Sequence, residues 1–237
     1  MKTIGIIGAM DEEIAVLKEK IDVVTSKSVI GLDFYIGMFN GNSVVFVRSG
    51  IGKVNASVCA QVLVDHFAVD YIINVGVAGA VSPELNVGDV VISKDTVQHD
   101  MDTSAFGDPL GEIPRMAESY FKADDELVKL ALECAEEICT PEKVFFGRVA
   151  SGDQFISDKE KKKKLWTTFG AYCTEMEGAA IAHACWLNKI PFVIIRSISD
   201  NADNEADMKY EEFVEIAAKN SGEIVYKLLQ SIYIVKV

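Results

Sequence analysis

Thr3-Ile4-Gly5-Ile6-Ile7-Gly8-Ala9-Met10-Asp11-Glu12-Glu13-Ile14-Ala15-Val16-Leu17-Lys18-Glu19-Lys20 reads as a strand, a tight turn and a helix. The apolar run Thr3-Ile7 is too short for a helix and has no polar alternation, as expected of a strand buried on both faces. The acids Asp11, Glu12 and Glu13 then sit in the first turn of a helix over Asp11-Lys20, where the helix dipole favours negative charge. The same alternation continues along the chain. Further strand-like runs are Val44-Val47, Tyr71-Val75, Val90-Ser93, Val144-Ala150 and Phe192-Ile198, and helical patterns cover Val54-Phe67, Asp124-Ile138, Asp158-Phe169 and Gly178-Leu187. Alternating strands and helices predict α/β architecture.

Leu32-Phe39, the pair Asn40-Gly41 and Val44-Val47 predict one antiparallel hairpin, because Asn-Gly suits the positive φ angles of a two-residue turn. The expected fold is therefore a three-layer α/β/α sandwich around a central mixed, mostly parallel twisted sheet. With 237 residues against ~150 per domain, no internal repeat and no linker, residues 1–237 read as one domain. Ser157-Asp158-Lys159-Glu160 reads as a capping box, and the run Lys161-Lys164 after it as the solvated side of that helix.

Acids outnumber bases 36 to 23, and the net charge of −13 makes nucleic acid and anionic membrane surfaces poor partners. The longest apolar runs are far short of the ~20 residues of a membrane helix. The first of them reads as a strand, not a secretion signal. Five scattered cysteines without C-x-x-C spacing indicate neither a disulfide framework nor a zinc site, and a reducing cytoplasm is the expected compartment. His66, His99 and His183 are dispersed and suggest no metal cluster.

Ligands of open α/β sheets gather at the carboxyl ends of strands. Five loops lie there: Gly8-Glu13, Ser49-Lys53, Gly76-Ala80, Ser151-Ile156 and Ser199-Asp203. None carries G-x-G-x-x-G, a complete P-loop or the G-x-S-x-G elbow, so dinucleotide binding, triphosphate hydrolysis and serine-based covalent catalysis lack support. What these loops and strand ends do carry is carboxylates: Glu13, the pair Glu175 and Glu177 around Met176, and Asp200. Gathering such groups in one crevice is costly unless protons or substrate hydroxyls use them.

Taken together, Ile4-Glu13, Ser49-Ala56, Ser151-Ile156, Glu175-Met176-Glu177 and Arg196-Asp200 resemble the 5'-methylthioadenosine/S-adenosylhomocysteine nucleosidases of the purine nucleoside phosphorylase superfamily. The resemblance runs from Met1 to about Leu229. It implies hydrolysis of an N-ribosidic bond, releasing adenine and a 5'-thio-substituted ribose with no metal or cofactor. Asp200 matches the general acid that protonates purine N7, and burial at the end of an apolar strand favours its proton-bearing form. Glu13 matches the base that activates water, a division of labour shared with inverting glycosidases. By the same resemblance Glu177 binds ribose hydroxyls, Met176 lies beneath the sugar, and Arg196 stands beside Glu13. The carboxylate Glu175 and the loop residues Val77, Ala78 and Gly79 complete that end of the pocket.

The resemblance further implies that Phe155 stacks on adenine and that the backbone of Ile156 reads its edge. Met10, Ile51, Tyr210 and Phe213 would surround the 5'-thio arm. A homodimer is implied, with Thr103, Phe106 and Pro114 completing a neighbour's pocket. Two positions depart from the family pattern. Val77 replaces a frequent serine, leaving Ser199 or water to support Asp200, and Tyr210 stands where the lid has phenylalanine. A phosphorylase of the same fold is the competing reading; against it, Asn74 occupies the position of the phosphorylase arginine and Asp11-Glu12-Glu13 would repel phosphate. A non-catalytic nucleoside-binding protein is a second alternative, and the retention of Glu13, Glu177 and Asp200 together argues against it.

Overall fold

The chain opens with β1 (Thr3–Gly8) and α1 (Asp11–Lys20), followed by the antiparallel strands β2 (Val23–Val29), β3 (Leu32–Phe39) and β4 (Asn42–Arg48). Next come α2 (Lys53–Phe67), β5 (Tyr71–Ala80), β6 (Val90–Gln98), the short β7 (Tyr120–Lys122) and α3 (Asp125–Ile138). The remainder is β8 (Val144–Ser151), α4 (Lys159–Phe169), β9 (Ala171–Glu175), α5 (Gly178–Asn188), β10 (Phe192–Asp200) and α6 (Ala206–Ser231). The computed structural model describes the backbone of residues 1–200 and 206–232, and the side chains of 1–200 and 213–232.

All the strands share one mixed sheet in the order β10-β6-β8-β9-β5-β1-β4-β3-β2, with β7 added beside β6. Parallel pairing joins β1 to β4 and β5, β5 to β10, β6 to β8, and β8 to β9. Since β5 also pairs with β9, the strands β5, β10, β6, β8 and β9 close into a ring. The predicted hairpin is β3–β4, and Asn40 and Gly41 both adopt the positive φ that its turn demands.

Helices cover both faces of β1. A Cβ on Gly5 would meet Leu63 of α2, whereas one on Gly8 would meet Ile14 of α1. Positions three apart on a strand point to opposite faces. The core they enclose includes Ile4, Ile6, Ile7, Val45, Phe46, Ile72, Ile73 and Ile195, all essentially without exposure.

Two local expectations are corrected. The helix after Ser157 is capped by Asp158, whose carboxylate accepts from the Lys161 N–H, so the residue capping α4 lies one position later than the predicted box. Nor is the lysine run uniformly solvated. Lys162 is 1% exposed, because Lys162, Leu165 and Phe169 fall on the buried face of α4. Elements absent from the sequence reading are β2, nearly all of which is exposed, the three-residue β7, and α6, which packs on α1, β5 and β10.

Candidate active site

Glu13 is placed by the turn that leaves β1. One carboxylate oxygen accepts from the N–H groups of Ala9 (2.6 Å) and Met10 (3.1 Å), and the other from the N–H of Val77 at the end of β5 (3.0 Å). Burial pushes this carboxyl above its usual range, while the Arg196 charge and the three N–H donors pull the other way. The result is a fixed, dehydrated carboxylate whose basicity is raised. The departure at Val77 therefore leaves this contact intact, since it is made by the main chain; the valine side chain packs with Ala217 and Ala218 of α6.

Arg196 is fully buried on β10 and links two struts. Its Nη2 donates to Asn74 Oδ1 (2.5 Å) and to Glu175 Oε2 (2.5 Å). Its direct ion pair is thus with Glu175, and it acts on Glu13 through its charge. Glu175 also accepts from the Ser151 hydroxyl and from the N–H groups of Glu177 (3.2 Å) and Gly178 (2.7 Å). Asn74 is the second strut, donating to the Ile7 carbonyl at 2.8 Å.

Glu177 accepts from the Gly52 N–H at 2.7 Å. Gly52 holds φ of 98°, a conformation open to glycine and strained for other residues. Burial first, and then the charge of Glu175, push Glu177 up to about 8.

Asp200 ends β10 beyond a register shift against β5 between Ile198 and Asp200, the kind of irregularity that re-aims a side chain. It is 1% exposed. Ser199 Oγ donates to its Oδ1 at 3.1 Å, and Lys162 Nζ approaches its Oδ2 at 2.8 Å. Sequence reasoning anticipated the first support and missed the second.

One pocket collects most of the candidate residues. Its wall contains Met10, Glu13, Ile51, Val77, Ala78, Gly79, Phe155, Glu175, Met176, Glu177, Ser199 and Asp200. Arg196 stands behind it through Glu175. Ala9 and Thr174, which were not anticipated, also line it, and the buried Thr174 hydroxyl has no hydrogen-bond partner among the described residues. Ile156 turns its side chain into a separate apolar cluster with Val97, Leu165 and Phe169. Thr103, Phe106 and Pro114 lie outside the pocket wall, and Phe106 is 88% exposed. Phe213 is half-buried on α6 and is likewise outside that wall, while the side chain of Tyr210 lies outside the described residues.

The sequence matches a family. The phosphorylase superfamily profile aligns with residues 3–230. The chain belongs to the phosphorylase superfamily. Within it, the chain is 45% identical over 230 residues to the 5'-methylthioadenosine/S-adenosylhomocysteine nucleosidase of Staphylococcus carnosus, covering 97% of this chain and all of that one. It also superposes on the corresponding nucleosidase of Neisseria meningitidis in complex with methylthio-immucillin-A, with TM-score 0.92, 39% identity, and coverage of 98% and 100%. A second solved structure, futalosine hydrolase of Helicobacter pylori, gives TM-score 0.91 at 36% identity, over 97% of this chain and 98% of that one. The α/β fold with its mixed central sheet is thus the superfamily's, as the sequence led us to expect.

Proposed function

We propose that this protein hydrolyses the N-ribosidic bond of 5'-methylthioadenosine and S-adenosylhomocysteine, and also of 5'-deoxyadenosine. The products are adenine and 5-methylthioribose, S-ribosylhomocysteine or 5-deoxyribose. The observation that carries this reading is the meeting in one pocket of two differently supported carboxyl groups, Glu13 and Asp200. Glu13 is fixed by three N–H donors and made more basic by burial, as suits a group that takes a proton from water. Asp200, beside Ser199 and Lys162, is the proton donor to purine N7, so that neutral adenine departs while the ribose gains positive charge.

Glu177 then accepts from ribose hydroxyls, Met176 underlies the sugar, and Phe155, half-exposed at the pocket mouth, covers the base. The main chain at Ile156 reads the adenine edge. Met10, Ile51, Tyr210 and Phe213 receive the 5' substituent. The exposed Phe106, with Thr103 and Pro114, completes the pocket of a second subunit in a homodimer. A single catalytic domain spans residues 1–237, and it acts in the cytoplasm. Among the described residues no helix is long and apolar enough to cross a membrane.

Water is favoured over phosphate as the nucleophile. The buried cations nearest the pocket, Arg196 and Lys162, are already paired with Glu175 and Asp200. Asn74, at the position of the phosphorylase arginine, is occupied in holding Arg196. A phosphate ~4 Å from Glu13 would be repelled by about 4 kcal/mol per charge at an effective dielectric near 20. The test is a panel of adenine nucleosides with different 5' groups, 6-amino-6-deoxyfutalosine included, assayed for free base with and without phosphate. Adenine release from methylthioadenosine in phosphate-free buffer is expected. Strict phosphate dependence with a ribose-1-phosphate product would establish a phosphorylase instead.

A further inference from the structure

Lys162 and Asp200 form an ion pair with side chains 1% and 2% exposed, at 2.8 Å. Such a pair loses most of its hydration, and unless its geometry is excellent, attraction in the dry interior does not recover that loss. Lys162 also has a second aspect. Beyond α4 it borders an open groove lined by Val81, Pro83, Asn86, Lys159, Lys163 and Trp166. It therefore stands between a carboxyl that lines the pocket and a separate open groove.

Resting on the nucleosidase reading above, we propose that Lys162 is a positioning residue that stores the proton Asp200 delivers. An ammonium paired with a carboxylate holds the same number of protons as a neutral amine beside a carboxylic acid. Closure of a purine over the pocket removes remaining water and weakens the hydration that favours the charged arrangement. The Lys162 N–H bond then breaks as an O–H bond forms on Asp200. The O–H proton passes to N7 as the electron pair of the C1'–N9 bond withdraws into the base. Water supplies hydroxide to C1' and its proton goes to Glu13. Lys162 is left as a neutral amine and Asp200 as a carboxylate. After the products leave, Glu13 releases its proton to solvent and Lys162 regains one from the groove side, so no proton is gained or lost overall.

The other ionisable groups around the pair, among the described residues, are Glu13, Glu175, Glu177 and Arg196 across the pocket, and Lys159 and Lys163 on the groove side. Arg196 is committed to Glu175. Lys159 and Lys163 are exposed neighbours on the same helix. Neither they nor the carboxylates stand in for a lysine in hydrogen-bond contact with Asp200.

The experiment compares the full-length wild type, Lys162→Met and Lys162→Arg in steady-state adenine release from methylthioadenosine, between about pH 5 and pH 9. Methionine leaves Asp200 to hold its proton alone. Lys162→Met is expected to keep KM within about threefold and near-normal kcat at the acidic end, and to lose about 10²-fold in kcat at the alkaline end. Arginine preserves the charge but cannot give up a proton. Lys162→Arg is expected to lose about 10²-fold in kcat at neutral pH and to recover towards acid. The proposal is overturned if Lys162→Met follows the wild-type pH profile, or if Lys162→Arg restores that profile in full, since charge alone would then suffice. Should the bulkier arginine prevent folding, the methionine profile decides. Failure of the wild type to release adenine would instead overturn the nucleosidase reading itself.

Discussion

Gly79 of β5 and Asp200 of β10 are paired so closely that a Cβ on Gly79 would stand 2.9 Å from Asp200 Oδ2. Backbone pairing, not side-chain packing, sets that approach, so nothing flexible can yield except the carboxylate itself. Gly79→Ala is expected to fold, to displace Asp200 from Lys162, and to lower kcat by about 10²-fold, the scale of a misplaced catalytic group. Adenine release and a thermal melt check this; a variant with wild-type kcat would show that the spacing is immaterial.

Glu13 presents acceptors to three N–H donors, on Ala9, Met10 and Val77. Glutamine must turn its amide N–H2 towards at least one of them. Glu13→Gln therefore loses a base and gains a donor–donor clash. It is expected to reduce kcat by about 10²–10⁴-fold and stability by about 1–3 kcal/mol. Rate measurements with denaturant titration separate the two effects, and full activity would mean that water is activated elsewhere.

The Glu177 carboxyl is raised from 4.5 to about 8, first by burial and then by the Glu175 charge. The native state holds this proton more tightly than the unfolded chain does. Native proteins then bind more protons across that window, and stability falls as pH rises through it. Glu177→Gln keeps an acceptor for the Gly52 N–H and removes the titration. Its Tm is expected to fall less than that of the wild type between about pH 5 and pH 8, with each kcal/mol moving Tm by about 2–4 °C in a chain of this size. Parallel Tm profiles for the two proteins would contradict the shift.

The candidate site was legible where function sits at strand ends. Glu13, Glu177 and Asp200 could be named because each follows an apolar strand or a recognisable turn, and the structure brings them to one pocket. Lys162 was hidden by its neighbours, because four consecutive lysines read as a solvated face. The spacing Lys162, Leu165, Phe169 was the available signal, since positions three and seven apart share a helical face. Arg196 does stand beside Glu13, but that its ion pair is with Glu175 depends on which strands adjoin, and no local pattern encodes it. The same holds for the ring of strands. The pairing of β5 with both β9 and β10 joins segments about a hundred residues apart. Strand β2 gave little apolar signal because its middle, Thr25-Ser26-Lys27-Ser28, is polar and faces solvent.

Asp200→Asn tests the account most directly, with substrate affinity and turnover measured on the same protein. Asparagine retains the shape of the side chain but has no acidic proton to give, and its amide N–H2 replaces one of the two oxygens that accept from Ser199 and Lys162. Methylthioadenosine is expected to bind within about threefold of the wild type while kcat falls by about 10²–10⁴-fold. An unchanged kcat would show that the proton reaching the purine comes from another group.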